Sequence, residues 1–260
     1  MGRVFTIATG GDLAEQLWWP QWTEHYFPSY ETFWVARVVP TTNRVVVGRG
    51  DIGFRTDAEL AADGFTPEDV AVAQLHYTLL MHLGRSFELI DDGHGFSTRT
   101  FLANRNFRRD QFFESFARLS GASDVADEIL ARRESPGRFD PWDEKRGDAA
   151  RRSWRDRHGD PLEPVRAYRN RLVHGRVVPE VYVDALRPGT RRVIGQMLMY
   201  PRLGTVGSYL DWRIAFDAAR QSTTTPPADF EEAALIAADA WELVVAYVES
   251  AWKTHLVPNL

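Results

Sequence analysis

The 260-residue chain contains no cysteine. That excludes disulfides, thiolate metal centres and thiol nucleophiles together, and it points to a reducing compartment, so a cytoplasmic location is expected. Lysine is nearly missing as well. Apart from Lys145 and Lys253 every cation is an arginine, a bias that codon usage accounts for. Long apolar runs are missing too: the opening MGRVFTIATGGDLAEQ has no apolar h-region, and no later run reaches the roughly 20 apolar residues that span a bilayer. Neither targeting nor membrane insertion is expected. The formal net charge of −5 leaves no global positive field, so any nucleic-acid contact has to use a local patch. The chain also has no Gly-rich phosphate loop, no Ser nucleophile elbow and no HExxH string, so those three routes to catalysis are unmarked.

What is present is enough apolar residue, 44%, to bury a sizeable core. Its spacing is helical nearly everywhere. Leu13, Leu17, Trp18 and Trp22, then Phe33, Trp34 and Val38, suggest short helices, followed by RVVV at 44–47 as a short strand or extended link. A boundary is placed near Gly64. Thr66-Pro67-Glu68-Asp69 has the form of a helix start, with Thr as cap, Pro in the first position and acids in the first turn. A long helix is expected from there to about Ile90, carrying Val70, Leu75, Leu79, Leu83, Phe87 and Ile90. A second is expected over 96–119, marked by Phe101, Phe107, Phe112, Phe113 and Phe116 and stopped by Gly121. A shorter helix is expected at 123–134, then a charged and partly helical segment at 135–160. Asp160-Pro161 starts another helix that Gly175 stops.

VYVDAL and VIGQMLMY have the character of a small hairpin, DWRIAFDAA reads as a helical turn or two, and a final helix covers about 230–256 with Trp241 and Trp252. The expected class is all-α: four principal helices over 65–260, a helical extension over 1–64, and a small mixed insertion at about 177–220 before the last helix.

The most informative stretch is RAYRNRLVHGR at 166–176. At about 100° per residue, Leu162, Val165, Tyr168, Leu172 and Val173 share one broad face and Arg169 points into it. A guanidinium there needs a partner or an anion. Asn170 and His174 lie at i and i+4, within reach of each other. Arg-to-His spacing alone does not discriminate, because Arg151 and Arg152 stand at similar distances from His158. Two readings follow from the residues. In one, Arg169 clamps a phosphate, His174 carries protons and Asn170 orients the ring. In the other, Arg169 pairs with Glu163 or Glu242, and His174 only caps the helix C-terminus.

The fuller string YRNRLVHG resembles the motif of the HEPN superfamily, Arg-(Asn, Asp or His)-x(3–5)-His, with Arg169, Asn170 and His174 in the three polar positions. The resemblance implies a HEPN-like four-helix bundle over about 66–256. It also implies a metal-independent endoribonuclease that uses the RNA 2′-OH as nucleophile at a composite site in a homodimer. Such proteins often act as toxins held by an antitoxin protein, or in defence against phage. Under that reading Arg169, His174 and Asn170 are catalytic; Arg166, Arg171, Arg176 and Tyr168 contact the RNA; and neither metal nor other cofactor is required. Other members keep the fold without the activity, so a non-catalytic dimerisation or partner-binding module is the alternative.

The remaining candidates have simpler explanations. Asp91, Asp92 and His94 in the IDDGHGF turn are explained by turn chemistry more cheaply than by a metal. His76 and His82 lie on different faces of one helix and suit packing or surface roles. Arg99, Arg105, Arg108, Arg109 and Arg118, with the cations between Arg132 and Arg157, are expected to form a salt-bridged, solvated face. A strand-binding surface with Trp142 and Trp154 interleaved among those arginines is the competing reading.

Overall fold

The computed structural model describes residues 5–9, 34–38, 45–47, 53–55, 62, 66–90, 109–138, 144–174, 180–186, 189, 193–204 and 228–255. These contain strands β1 (Phe5–Thr9), β2 (Trp34–Val38), β3 (Val45–Val47) and β4 (Gly53–Arg55), then helices α1 (Pro67–Ile90), α2 (Arg109–Glu134), α3 (Glu144–His158) and α4 (Glu163–His174). After them come β5 (Val181–Leu186), β6 (Val193–Pro201), β7 (Phe230–Glu232) and helix α5 (Ala233–His255). The described residues are mostly helical, and none of their helices is long and apolar enough to cross a membrane. Contacts divide the chain into two compact units, Met1–Gly84 with Gly121–Asp160 and Val245–Leu260, and Arg85–Ser120 with Pro161–Val244. No division falls at Gly64.

In the first unit strand β2 corrects the short helix expected from Trp34 and Val38. The described residues between 5 and 55 are strands, in the order β2-β1-β3-β4, with β1 antiparallel to β2 (Phe5↔Val38, Thr9↔Trp34) and parallel to β3 (Thr6↔Val46). The i, i+4 spacing of Trp34 and Val38 satisfies a strand equally well, because period 2 also repeats at four. WVARV and FTIAT are rich in the β-branched and aromatic residues that fit a pleated surface. Of the two forms open for 44–47, strand or extended link, the strand is found, as β3, while Leu13, Leu17, Trp18, Trp22 and Phe33 lie outside the described residues.

Helix α1 starts where expected. The Thr66 hydroxyl accepts from the Asp69 amide at 3.1 Å while the Thr66 amide donates to Asp69 Oδ2 at 2.9 Å, a reciprocal cap of two orphan N–H groups. Helix α2 runs on through Gly121, where a stop was expected. A Cβ at Gly121 would stand 2.9 Å from both Cε1 and Nε2 of His82, so glycine is required by close approach to α1 and not by a helix end. Helix α3 is regular within the segment expected to be partly helical, and Gly159 (φ 80) closes it by donating its amide to Arg155 O at 2.8 Å. Arg132, 2% exposed at its side chain, lies between Glu128 (2.9 Å) and Glu68 (3.3 Å).

The second unit holds α4 and the three-stranded sheet β5-β6-β7. The expected hairpin is present, with Val181↔Met199 to Leu186↔Val193 and a shift between Ala185 and Leu186. The third strand was not anticipated: Phe230, taken as the start of the last helix, instead pairs with Pro201. The expected insertion is therefore tied to the entry of α5 by one sheet. Phe112 and Phe116 of α2, Tyr168 of α4 and Tyr200 of β6 are all buried and form one aromatic cluster. Phe112 stacks on Tyr200 (4.4 Å, 11°) and Phe116 on Tyr168 (4.6 Å, 22°). Residues 96–108, the IDDGHGF turn from Asp91 on, and DWRIAFDAA lie outside the described residues.

Candidate functional site

Helix α4 is seated by one side of its surface. Leu162 caps the start, its carbonyl accepting from the amides of Val165 (3.1 Å) and Arg166 (3.2 Å), and Leu162, Val165, Tyr168 and Leu172 are buried. The buried ring of Tyr168 lies edge-on to Phe112, and its hydroxyl donates to Pro201 O at 2.7 Å. Burial, then the neighbouring Tyr200, holds the Tyr168 phenol well above the usual range. Helix α4 is thereby fixed to the end of the central strand β6 by one hydrogen bond and to α2 by two ring contacts.

That seating corrects the expected position of Arg169. Val173 is 48% exposed and so does not belong to the stripe. Within the helix the buried stripe is then Val165, Tyr168 and Leu172 alone, and Arg169 falls about 65° from its centre, at the rim. Arg169 is accordingly half-buried, while Asn170 and His174 are exposed. Arg169 Nη1 donates to Asn170 Oδ1 at 3.1 Å. Pairing with Glu163 or Glu242 is not found: among the described residues Arg169 has no carboxylate partner and His174 no hydrogen bond. Helix α4 ends at His174, as expected from Gly175.

Of the residues expected to contact RNA, Arg166 and Arg171 are half-buried on α4 and engaged with other groups, and Arg176 lies outside the described residues. Tyr168 is corrected. At 1% exposure, with its hydroxyl on a backbone carbonyl, it is a structural anchor and not a ligand contact. The structure therefore brings Arg169 and Asn170 into contact and sets His174 one turn on, on the solvent side of the same helix.

The arginine-rich segment in the first unit is a salt-bridged face, as expected. Arg133 pairs with Asp69 (3.1 Å), Arg151 with Glu128 (3.1 Å) and with Asp148, and Arg155 with Asp127 (2.6 Å) and Asp124. Glu134 takes both Arg157 (2.6 Å) and His158 (2.8 Å). Trp154, which the competing reading placed on a strand-binding surface, is a buried anchor. It is 2% exposed, stacks on His158 and donates Nε1–H to Tyr247 Oη at 2.9 Å, which in turn donates to Asp127 at 2.8 Å. Sequence reasoning had no signal for this chain of contacts, because its members are 93 and 120 residues apart. In the second unit Arg109, over the Phe113 ring, pairs with Glu180 (3.4 Å), and Arg118 with Glu114 (3.6 Å). His76 is buried and His82 packs on Gly121, in keeping with their expected packing roles. Trp142, Asp91, Asp92 and His94 lie outside the described residues, and among those described no cluster of three or more His, Asp or Glu is spaced for a metal ion.

Comparisons with protein-family models, with curated proteins and with solved structures find no match to this chain. The HEPN resemblance accordingly rests on the residues of α4 and on the helical layout.

Proposed function

We propose that the protein is an endoribonuclease of HEPN type, working without metal at a site built by two copies of the chain around the C-terminal turns of α4. The observation that carries the reading is the placement of Arg169, Asn170 and His174. All three lie off the buried stripe of a firmly seated helix, with the guanidinium free of any carboxylate among the described residues and the imidazole exposed. In this mechanism an imidazole removes the 2′-OH proton, the 2′-oxygen attacks the adjacent phosphorus, and a second imidazolium protonates the departing 5′-oxygen. Arg169 pairs with the phosphate oxygens as charge builds on them. One chain supplies one His174, so the acid and base of the same turnover come from two protomers related by a two-fold axis. A cytoplasmic toxin or phage-defence role, with an antitoxin protein as partner, belongs to the same proposal.

The test is cleavage of single-stranded RNA and tRNA by the purified protein in EDTA, with 2′,3′-cyclic phosphate ends as product. Arg169→Ala and His174→Ala each abolish cleavage while leaving the circular dichroism spectrum unchanged. Absence of cleavage, with a homodimer intact in solution, favours the non-catalytic dimerisation module instead.

A further inference from the structure

We infer that Asn170 is the positioning residue of Arg169, holding the guanidinium in place for an RNA phosphodiester, and does not orient the imidazole of His174; this rests on the ribonuclease reading above. Helical spacing offers Asn170 both neighbours, and i, i+4 separation favours His174. The structure chooses the other one. Asn170 Oδ1 accepts from Arg169 Nη1 at 3.1 Å, and no hydrogen bond joins Asn170 to His174 among the described residues.

The reason lies in how α4 is seated. With Val165, Tyr168 and Leu172 the buried residues of the helix, Arg169 leaves it at the rim of the stripe, half-buried, beside the exposed Asn170. A long side chain with many rotamers is then held at its head by a short, neighbouring amide. An amide is the suitable holder for an anion clamp. It takes one of five guanidinium N–H groups and leaves the positive charge undiminished, whereas a carboxylate in its place would compete with phosphate.

The experiment has a readout that does not need RNA and one that does. The heteronuclear ¹⁵N NOE of the Arg169 Nε–Hε group, assigned by its loss in Arg169→Lys, falls in Asn170→Ala and is restored in Asn170→Asp, which keeps the acceptor. Affinity for an uncleavable 2′-O-methyl RNA falls roughly three- to ten-fold in Asn170→Ala, as for one exposed charge-assisted hydrogen bond. The loss is the same in a His174→Ala background and disappears in an Arg169→Ala background. Asn170→Asp, ordered but carrying a negative charge, binds RNA more weakly than Asn170→Ala. An unchanged NOE in Asn170→Ala overturns the inference whatever the RNA does, as does coupling that follows His174 in place of Arg169. Failure of the wild-type protein to bind or cleave RNA, with the NOE responding as stated, sinks the ribonuclease reading and with it the purpose assigned to Asn170, but not the hydrogen bond itself.

Discussion

Replacing Tyr168 by Phe separates a structural anchor from an RNA contact, because it deletes one oxygen and keeps the ring. The ring stacks on Phe116 at 4.6 Å and meets Phe112 edge-on at 6.1 Å, and these contacts persist in Tyr168→Phe. What is lost is the 2.7 Å hydrogen bond to Pro201 O, in a place where both residues are buried. A buried carbonyl left without its donor costs about 1–3 kcal/mol. In a chain of this size each kcal/mol lowers Tm by about 2–4 °C. Tyr168→Ala removes the ring as well and opens a cavity beside Phe116, for about 3–5 kcal/mol. The assays are urea unfolding followed by circular dichroism, and RNA binding at several salt concentrations. Tyr168→Phe lowers the urea midpoint and leaves RNA affinity and its salt slope unchanged for the folded protein. A variant with unaltered stability and weakened RNA binding would refute the anchor and return Tyr168 to the binding surface.

Other outcomes follow from the same packing. Gly121→Ala drives a Cβ to within 2.9 Å of the His82 ring and costs about 1–3 kcal/mol, and His82→Ala in the same chain recovers most of it; additive losses in a double-mutant cycle would show that the two positions do not touch. Arg132→Met leaves Glu128 and Glu68 without their shared cation and costs about 3–5 kcal/mol in chemical denaturation, a loss that Glu128→Gln in the same chain reduces. Burial raises the phenols of both Tyr168 and Tyr200, the second also through its hydrogen bond to Glu180. Below their ordinary value of 10.0 folded and unfolded chains both hold these protons; above it only the folded chain does, so stability falls as pH rises beyond 10. Thermal melts between pH 8 and 11 read this directly, and a Tm constant across that range would contradict it.

Sequence alone determined the features whose causes are local. Thr66-Pro67-Glu68-Asp69 carries its own cap, so the start of α1 was placed to the residue, and α4 ends at His174, where Gly175 marked a stop. VYVDAL and VIGQMLMY form strands, each a short apolar run that opens on β-branched residues or aromatics. The candidate site was legible for the same reason, since Arg169, Asn170 and His174 belong to one helical segment and their spacing is fixed by 3.6 residues per turn.

Tertiary structure decided whatever depends on a partner distant in the chain. Trp34 to Val38 satisfies helix and strand periods alike, and pairing with Phe5–Thr9 selects the strand. Gly121 looks like a stop until the His82 ring is seen against it. Phe230 looks like a helix residue until Pro201, 29 positions earlier, pairs with it. The role of Tyr168 turned on the carbonyl of Pro201 and the rings of α2. The place of Arg169 turned on Val173 being uncovered, because a helix has no buried face of its own: the width and centre of the stripe are set by what packs on it.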